Sequence, residues 1–270
     1  MNLRTNNHTD TIEVRTKASI KMTALPGIPL VRHGDDLVSL ILKSLKQIKL
    51  RLVDGDILVI TQKIVSKSEG RYVRITDVNP SKRAYQLAKS TGKDPRLVEL
   101  ILSESRSIIR YRHGIIVTEN RHGLILANAG IDQSNVEKDG DAEQVLLLPV
   151  NPDRSAGIIR NHLRQKIHVK VGVIINDSLG RAWRNGTIGT AIGVSGLTAL
   201  LDLRGQLDLF GEPLKVSEES IADEMSSAAS LLQGQGAEGR PVVLIQGYSN
   251  PSSTSAASVL IRPKEKDLFR

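Results

Sequence analysis

Three short apolar runs at distant points of the chain constrain its fold more than any other feature. Residues 57–60, 169–175 and 241–245 are rich in Val, Ile and Leu, and runs of this length predict buried strands. Residues 114–127 predict two further short strands around a polar turn at 119–123. Helical patterns separate these runs, so the chain is expected to adopt a mixed α/β or α+β fold.

The helical patterns are stretches in which apolar residues recur every three or four positions. One follows Gly34-Asp35-Asp36, a helix-start signal because a short acidic side chain can cap free backbone N–H groups, two lie between Ser81 and Leu102, and a fourth follows residues 153–155. A fifth follows Ser220-Ile221-Ala222-Asp223, which has the form of a capping box. The inward positions of these helices are predicted to be Leu37, Leu40, Ile41, Leu45 and Ile48, then Ile158, Ile159, His162 and Leu163, and finally Ile221, Met225, Ala228, Ala229 and Leu232.

The composition is that of a globular intracellular protein. The 270 residues are 40% hydrophobic and 24% charged, and we expect one compact unit, of one or two lobes, over residues 23–270. Residues 1–22 form an N-terminal extension, ordered or disordered, without the apolar segment of a signal peptide. The absence of cysteine excludes disulfides and thiolate nucleophiles and suits a reducing compartment, so a cytoplasmic location is expected.

The formal charge of +8 suits binding of small polyanions such as nucleotides. The cations are spread along the chain, and no nucleic-acid-binding motif is present, so we expect no nucleic-acid partner. No apolar run reaches the length of a membrane span, so no membrane association is expected. The glycine motifs of dinucleotide-binding folds and P-loops are also missing.

The apolar run before residue 176 ends in the sequence Asn176-Asp177-Ser178, which places a carboxylate and a hydroxyl at the end of a predicted strand. These are hard oxygen ligands that suit magnesium or manganese. Arg181 and Arg184 follow and could hold a triphosphate. The alternative is an N-cap aspartate followed by two surface arginines.

A second acidic segment, Ala127–Val136, contains Asp132 and Asn135. Asp132 is a candidate to share a metal with Asp177, and Asn135 is a candidate to contact a base or ribose. The competing interpretation is an ordinary polar turn. Gln62 and Lys67 follow a predicted strand and are candidate phosphate or base contacts, and the glycine-rich segment 233–239 is either a ligand-binding loop or a helix C-cap at Gly234.

Taken in order, the motifs resemble those of the coenzyme F420-0:γ-glutamyl ligases. The resemblance covers residues 25–270 and rests on Pro26–Pro29, Gly34–Asp36, Asp54–Lys67, Glu119–Gly123, Ala129–Val136, Leu147–Asp153, Asn176–Arg184 and Leu201–Gly205. It implies an α+β fold that forms an intertwined homodimer. It also implies a GTP-dependent ligase that joins L-glutamate to coenzyme F420-0 through an acyl phosphate, with two Mn²⁺ or Mg²⁺ ions and K⁺.

The resemblance also implies roles for particular residues. Asp132 and Asp177 would be catalytic and would hold one metal, and Ser178 with the backbone carbonyl of Gln235 would hold the second. The general base is open between Glu119 and His122. The implied nucleotide contacts are Ile28, Pro29, Leu30, Val31, Gln62, Lys67, Asn135, Gln233, Gly234, Gln235, Gly236, Ala237, Glu238, Gly239 and Arg240.

Two departures from the family pattern keep alternatives open. Ser178 stands where threonine is common, which preserves the hydroxyl, and Gly186-Thr187-Ile188 replaces a common Gly-Gln-Thr. The second change, expected beside the site, motivates an alternative ligase that acts on a different phosphorylated carboxylate. A non-catalytic nucleotide-sensing or nucleic-acid-binding protein is the remaining alternative, and the presence of both Asp132 and Asp177 argues against it.

Overall fold

The computed structural model describes residues 19–136, 143–249 and 254–268. Most of the predicted N-terminal extension, residues 1–18, lies outside them. The helices are α1 (Leu37–Gln47), α2 (Gln62–Ser68), α3 (Lys82–Thr91), α4 (Pro95–Ser103), α5 (Pro152–Ile167) and α6 (Ile221–Gln233). The strands are β1 (Lys21–Ala24), β2 (Ile57–Thr61), β3 (Tyr72–Arg74), β4 (Ser105–Arg112), β5 (Ile115–Asn120), β6 (Ile125–Ala127), β7 (Gln144–Leu146), β8 (Gly172–Arg181), β9 (Arg184–Ser195), β10 (Leu201–Asp202), β11 (Glu218–Glu219) and β12 (Val242–Gln246).

A five-stranded sheet of order β1-β12-β2-β8-β9 forms the centre of the protein. Strands β2 and β8 pair in parallel, and the other neighbours in this sheet pair antiparallel. The three apolar runs predicted as strands become β2, β8 and β12, and the residues of β2 from Ile57 to Ile60 are fully buried. The sheet is covered on both faces, which explains why these strands are apolar throughout.

Helices α1 and α5 cover one face of the sheet, and α6 covers the other. Ile41 and Leu163 belong to the first core, with Leu58 and Ile175 from the sheet. The second core contains Met225 and Ala229 of α6, packed with Val59, Ile174 and Val243. The mixed α/β architecture expected from the sequence is therefore confirmed.

A β-bulge in β9 lets both helix layers approach that strand closely. Ile175 pairs with Gly193 and Asn176 with Ala191, so Ile192 is an extra residue that reverses the alternation of side chains. As a result Gly193 faces α5 and Gly189 faces α6. A Cβ atom at Gly193 would lie 2.4 Å from the carbonyl oxygen of Pro152, and one at Gly189 would lie 2.2 Å from that of Ser226.

We expect Gly193→Ala and Gly189→Ala each to lower the free energy of unfolding by about 1–3 kcal/mol, because backbone atoms of the helices must move. Gly180→Ala is the matched control in the same ribbon, since no atom lies within 4 Å of its added Cβ. Urea unfolding of the three variants measures the difference. Equal stability of all three would show that the helices do not pack on β9 as described.

A second lobe, between residues 72 and 147, packs beside the sheet. It contains α3 and α4, the three-stranded sheet β4-β5-β6 and the pair β3–β7. Its own core includes Leu87, Val98, Ile101 and Val145. The predicted pair of helices and the predicted hairpin are both confirmed in this lobe.

An exposed arm spans Leu201–Glu219, closed at its base by the short pair β10–β11. Its tip carries apolar side chains that are almost fully exposed, with Leu209 at 82% and Phe210 at 92%. No helix in the described ranges is long and apolar enough to cross a bilayer.

The helix and strand boundaries differ from the sequence prediction at three places. Helix α5 starts earlier, at Pro152 behind the N-cap Asn151, and its Ile158 is exposed rather than inward. The predicted capping box fails because the Ser220 hydroxyl donates to the Asp223 side chain, whose other oxygen accepts from Ala191 N. The first difference reflects a local cap, and the second reflects a contact of Asp223 with the distant strand β9.

The third difference concerns β8. It begins at Gly172 and does not end before Asp177, but continues to Arg181 as a ribbon with β9. Asp177 is consequently a residue within a strand rather than the N-cap of a helix.

Candidate functional site

The candidate site lies where parallel strands β2 and β8 leave the centre of the sheet. Thr61, the last residue of β2, pairs with Asn176 of β8. Beyond this pair, β2 turns into helix α2 at Gln62, whereas β8 continues through Asp177 and Ser178. Carboxyl ends of neighbouring parallel strands are common positions for ligand sites.

A pocket of about 520 Å³ opens at this point. Its size falls within the range of small-molecule and cofactor sites. It is bounded by Ile28–Val31, by the start of α2, by β8 and by the glycine loop, Gly234–Gly239, that follows α6. The lining residues are Ile28, Pro29, Leu30, Val31, Thr61, Gln62, Lys63, Ile64, Lys67, Asn135, Val136, Asn176, Asp177, Ser178, Gln233, Gly234, Gln235, Gly236, Ala237, Gly239, Arg240 and Pro241.

Asp132 is held at the edge of the pocket by the second lobe. Its backbone N–H donates to Leu146 O (2.9 Å), and its own carbonyl accepts from Leu146 N (2.9 Å). Its carboxylate accepts a hydrogen bond from the Gln62 side chain and forms an ion pair with Lys63. The second lobe thus places the Asp132 carboxylate in contact with two residues at the start of α2.

Asp177 lies close enough to Asp132 for the two carboxylates to repel each other. Burial, and next the charge of Asp132, raise the pKa of Asp177 to about 7. Opposing effects are the hydrogen bond from Ser178 N (2.8 Å), the positive charge of Lys63 and a hydrogen bond with Gln62. The site therefore concentrates negative charge that is only partly neutralised.

The oxygen atoms of this site are the type that a hard divalent cation binds. Two carboxylates, from Asp132 and Asp177, stand with the Ser178 hydroxyl and the peptide carbonyls of the glycine loop. Within the described ranges, no group of three or more His, Cys, Asp or Glu side chains is gathered for a metal. A cation here would need hydroxyl, amide or peptide oxygens in addition to the two carboxylates.

The alternation of strand β8 divides the polar groups between its two faces. Asp177 faces Gln62 and Asp132. Asn176 and Ser178 face the end of α6, where Asn176 Nδ2 donates to Gln233 Oε1 (3.0 Å) and Ser178 Oγ accepts from Gln235 Nε2 (2.8 Å). The pocket therefore borders both faces of one strand.

The glycine loop closes the pocket from the end of α6. Gly234 is the C-cap, as predicted, with φ of 75°, and a side chain there would be strained as well as crowded by Glu238. Asn135 Nδ2 donates to Gly236 O (3.2 Å), and Lys67 Nζ donates to Asn135 O (2.7 Å). These bonds join α2, the second lobe and the loop around the pocket.

The structure gathers most of the residues that the sequence suggested. All the predicted nucleotide contacts line the pocket except Glu238, whose carboxylate accepts from Gly236 N (2.8 Å) within the loop. Of the predicted metal ligands, Asp177, Ser178 and Gln235 line it, and Asp132 reaches it through Gln62 and Lys63. Whether these residues bind a nucleotide or metal stays a prediction.

Several other candidates lie outside the lining. Arg181 and Arg184 are exposed in the β8–β9 ribbon. Thr187 and Ile188 pair with Gly180 and Leu179 of β8 and do not line the pocket either.

The two candidate general bases are also outside the lining. Glu119 is buried and pairs with Lys264 Nζ (3.1 Å). Burial lowers the pKa of His122, which bonds to the backbone of Pro149.

Lys63 and Asn176 also line the pocket but were not predicted from the sequence as site residues. Lys63 follows Gln62 directly, so the strand end that drew attention to Gln62 also contained it. Asn176 precedes Asp177 in the same way. Neither stands out from its residue type alone, because an isolated lysine or asparagine at a strand end is usually a surface residue.

We expect Asp177→Asn to stabilise the protein when no metal is present, since the buried charge and its repulsion with Asp132 disappear. Because the pKa of Asp177 is raised in the folded state, ionisation of Asp177 destabilises the wild-type protein. This loss of stability is absent below the ordinary aspartate pKa, grows as pH rises and is complete above about 7. The gain should be about 1–3 kcal/mol at pH 8. It should shrink at pH 5. Thermal unfolding with EDTA at both pH values measures it, and a variant less stable at pH 8 would contradict the electrostatic account.

Comparison with known proteins identifies the family to which this architecture corresponds. The family model described as F420-0:Gamma-glutamyl ligase matches residues 27–247. A protein named coenzyme F420:L-glutamate ligase from Methanothermobacter thermautotrophicus is 45% identical over 253 residues, 93% of this chain and 99% of that protein. Proteins of the same name from Methanocaldococcus jannaschii (46% identical, 80% of this chain and 85% of that protein) and Archaeoglobus fulgidus (37%, 93% and 96%) are also similar.

Proposed function

The chain belongs to the F420-0:γ-glutamyl ligase family, and on this premise we propose that it is a GTP-dependent ligase that joins L-glutamate to coenzyme F420-0 in coenzyme F420 biosynthesis. The relatives are named coenzyme F420:L-glutamate ligase, which supports a ligase that uses these two substrates. The observation that carries the proposal is the pocket lined by Asp177 and a glycine-rich loop, with Asp132 at its edge and close enough to act electrostatically on Asp177.

The proposed reaction has two steps. A carboxylate oxygen of F420-0 attacks the γ-phosphorus of GTP, which forms an acyl phosphate and releases GDP. The glutamate amine then attacks the acyl carbon, loses a proton and expels inorganic phosphate. No protein nucleophile is needed, which agrees with a chain that has no cysteine.

Asp132 and Asp177 would hold one divalent cation, and Ser178 with the Gln235 carbonyl would contribute to a second. When bound, Mn²⁺ or Mg²⁺ neutralises the charge that builds up on the phosphates during transfer. Lys63 would contact the transferring phosphate, a proposal supported by its position in the pocket lining beside Asp132 and Asp177.

The nucleotide would lie between Ile28–Val31 and the glycine loop. Backbone N–H groups of the loop can donate to phosphate oxygens, and the small residues permit a close approach. Lys67 and Arg240 add positive charge at the pocket wall. We also propose K⁺ as a cofactor, on the basis of the family resemblance. A cytoplasmic location is proposed because the chain lacks cysteine.

Phosphate release from GTP, measured with F420-0, L-glutamate and Mn²⁺, tests the function. We expect release that requires both substrates and a product heavier by one or more glutamyl units in mass spectrometry. If GTP and Mn²⁺ bind but F420-0 gives no release, the alternative ligase with a different phosphorylated carboxylate is favoured. Binding to bulk DNA that weakens with salt, without GTP turnover, would favour the non-catalytic alternative.

We expect Asp132→Asn and Asp177→Asn each to lower turnover at least about 100-fold, because each removes a charged oxygen that positions a cation. Asp77→Asn, an exposed position in the second lobe, is the control and should keep wild-type activity. Circular dichroism and Mn²⁺ titration separate loss of metal from loss of fold. Undiminished turnover in either site variant would overturn the assignment.

A homodimer is also proposed, and the exposed arm supports it. Leu207, Leu209, Phe210 and Val216 are each more than two-thirds exposed on this arm, and such apolar groups mark protein contacts when they cluster. An arm that extends away from its own core can pack against a second copy, as an intertwined dimer requires.

The variant Leu209→Glu/Phe210→Glu should shift the protein from dimer to monomer, since two charges would be buried in the interface. Light scattering coupled to size-exclusion chromatography measures the oligomeric state. Val53→Glu is the control, because Val53 is an exposed apolar residue outside the arm, in the segment before β2. A wild-type monomer, or a double variant that remains dimeric, would exclude the arm as the interface.

A further inference from the structure

One residue that lines the pocket has a buried side-chain oxygen without a hydrogen-bond partner in the described part of the chain. Among the described residues, the buried side-chain atoms without a hydrogen bond are Thr118 Oγ1, Asn120 Nδ2, Asn176 Oδ1 and Ser226 Oγ. Of these residues, Asn176 alone lines the pocket. Its side chain is 3% exposed, and an unsatisfied buried acceptor costs about 1–3 kcal/mol. A ligand that satisfies it would recover this energy.

The orientation of the Asn176 amide is fixed by its neighbour Gln233. Gln233 Nε2 donates to Val59 O (3.2 Å) and Pro241 O (3.4 Å), so its Oε1 must accept the hydrogen bond from Asn176 Nδ2. The Asn176 oxygen is then the atom left over. The Gln233 side chain therefore uses its amide groups within the protein and positions Asn176, while the predicted contact of Gln233 with a nucleotide stays a prediction.

The chemistry of the free oxygen limits what can bind there. An amide oxygen accepts hydrogen bonds and coordinates cations, and a fully ionised phosphate oxygen offers neither a proton nor a positive charge. A direct phosphate contact is therefore excluded. A hydrogen-bond donor or a cation satisfies this oxygen, and the oxygens around it decide in favour of a cation.

Asn176 shares a face of β8 with Ser178, while Asp177 lies on the opposite face. On the α6 face the oxygens are an amide, a hydroxyl and the peptide carbonyls of the glycine loop, all uncharged. The loop's carboxylate, Glu238, is turned toward Gly236 N and does not line the pocket. On the other face stand the two carboxylates of Asp132 and Asp177.

We propose, building on the ligase function above, that Asn176 Oδ1 is a ligand of the second divalent cation on the α6 face, and that this cation binds only after nucleotide phosphate is present. Uncharged oxygens compensate little of the cost of removing a divalent ion from water. Phosphate oxygens supply the missing negative charge. On the carboxylate face, Asp132 and Asp177 supply negative charge themselves, so the cation there binds to the protein without nucleotide.

Mn²⁺ titration followed by electron paramagnetic resonance tests this with the full chain. In the wild type we expect about one Mn²⁺ without nucleotide and a second with a non-hydrolysable GTP analogue. Asn176→Ala should weaken the second Mn²⁺ at least about 10-fold and leave the first unchanged. Asn176→Asp should let the second Mn²⁺ bind without nucleotide, because the carboxylate provides the charge.

Controls distinguish this inference from the function on which it rests. Asn185→Ala, at an exposed position in the same ribbon, should leave both Mn²⁺ affinities unchanged, and thermal unfolding checks that each variant is folded. If the wild type binds neither Mn²⁺ nor the analogue, the proposed function itself fails. A different outcome is that the wild type binds Mn²⁺ and the analogue while the variants behave differently from expectation. If Asn176→Ala leaves the affinity for the second Mn²⁺ unchanged, or weakens both Mn²⁺ sites equally, only the role of Asn176 is overturned. The same holds if Asn176→Asp still requires nucleotide to bind the second Mn²⁺.

Discussion

The parallel pairing of β2 with β8 is the constraint on which the site depends. This pair brings two segments more than 110 residues apart into one register, so that Thr61 lies beside Asn176. Each strand then carries its following polar residues to the same edge of the sheet. A shift of this register by one residue would exchange the faces on which Asn176 and Asp177 lie. The oxygens of the site would then no longer be arranged as described.

The rest of the fold keeps this edge in place. Helix α6 packs on β9 where Gly189 leaves room for backbone contact, and it ends at Gly234, where the glycine loop begins. Gln233 then ties the end of α6 to β2 and β8 through its bonds to Val59 O and Asn176. The start of the loop is therefore anchored to the sheet through Gln233.

The second lobe contributes the charge that makes the site chemically distinct. It places Asp132 beside Gln62 and Lys63, and the resulting repulsion contributes to the raised pKa of Asp177. Two acids held together in a partly buried site destabilise the folded protein unless a cation joins them. Such local cost is typical of sites in which positions are selected for chemistry rather than stability.

The local sequence alone determined the apolar strands, the start of α1 behind Gly34–Asp36, the C-cap Gly234 and, through motif order, the family and most of the pocket residues. These features depend on short-range periodicity and on residue types at fixed spacing. The continuation of β8 past Asp177, the bulge at Ile192 and the hydrogen bonds of Gln233 with Asn176 and Val59 O were decided only by the tertiary structure. They arise from pairing between distant strands and helices, which fixes where each polar atom finds a partner, and no local pattern encodes that outcome.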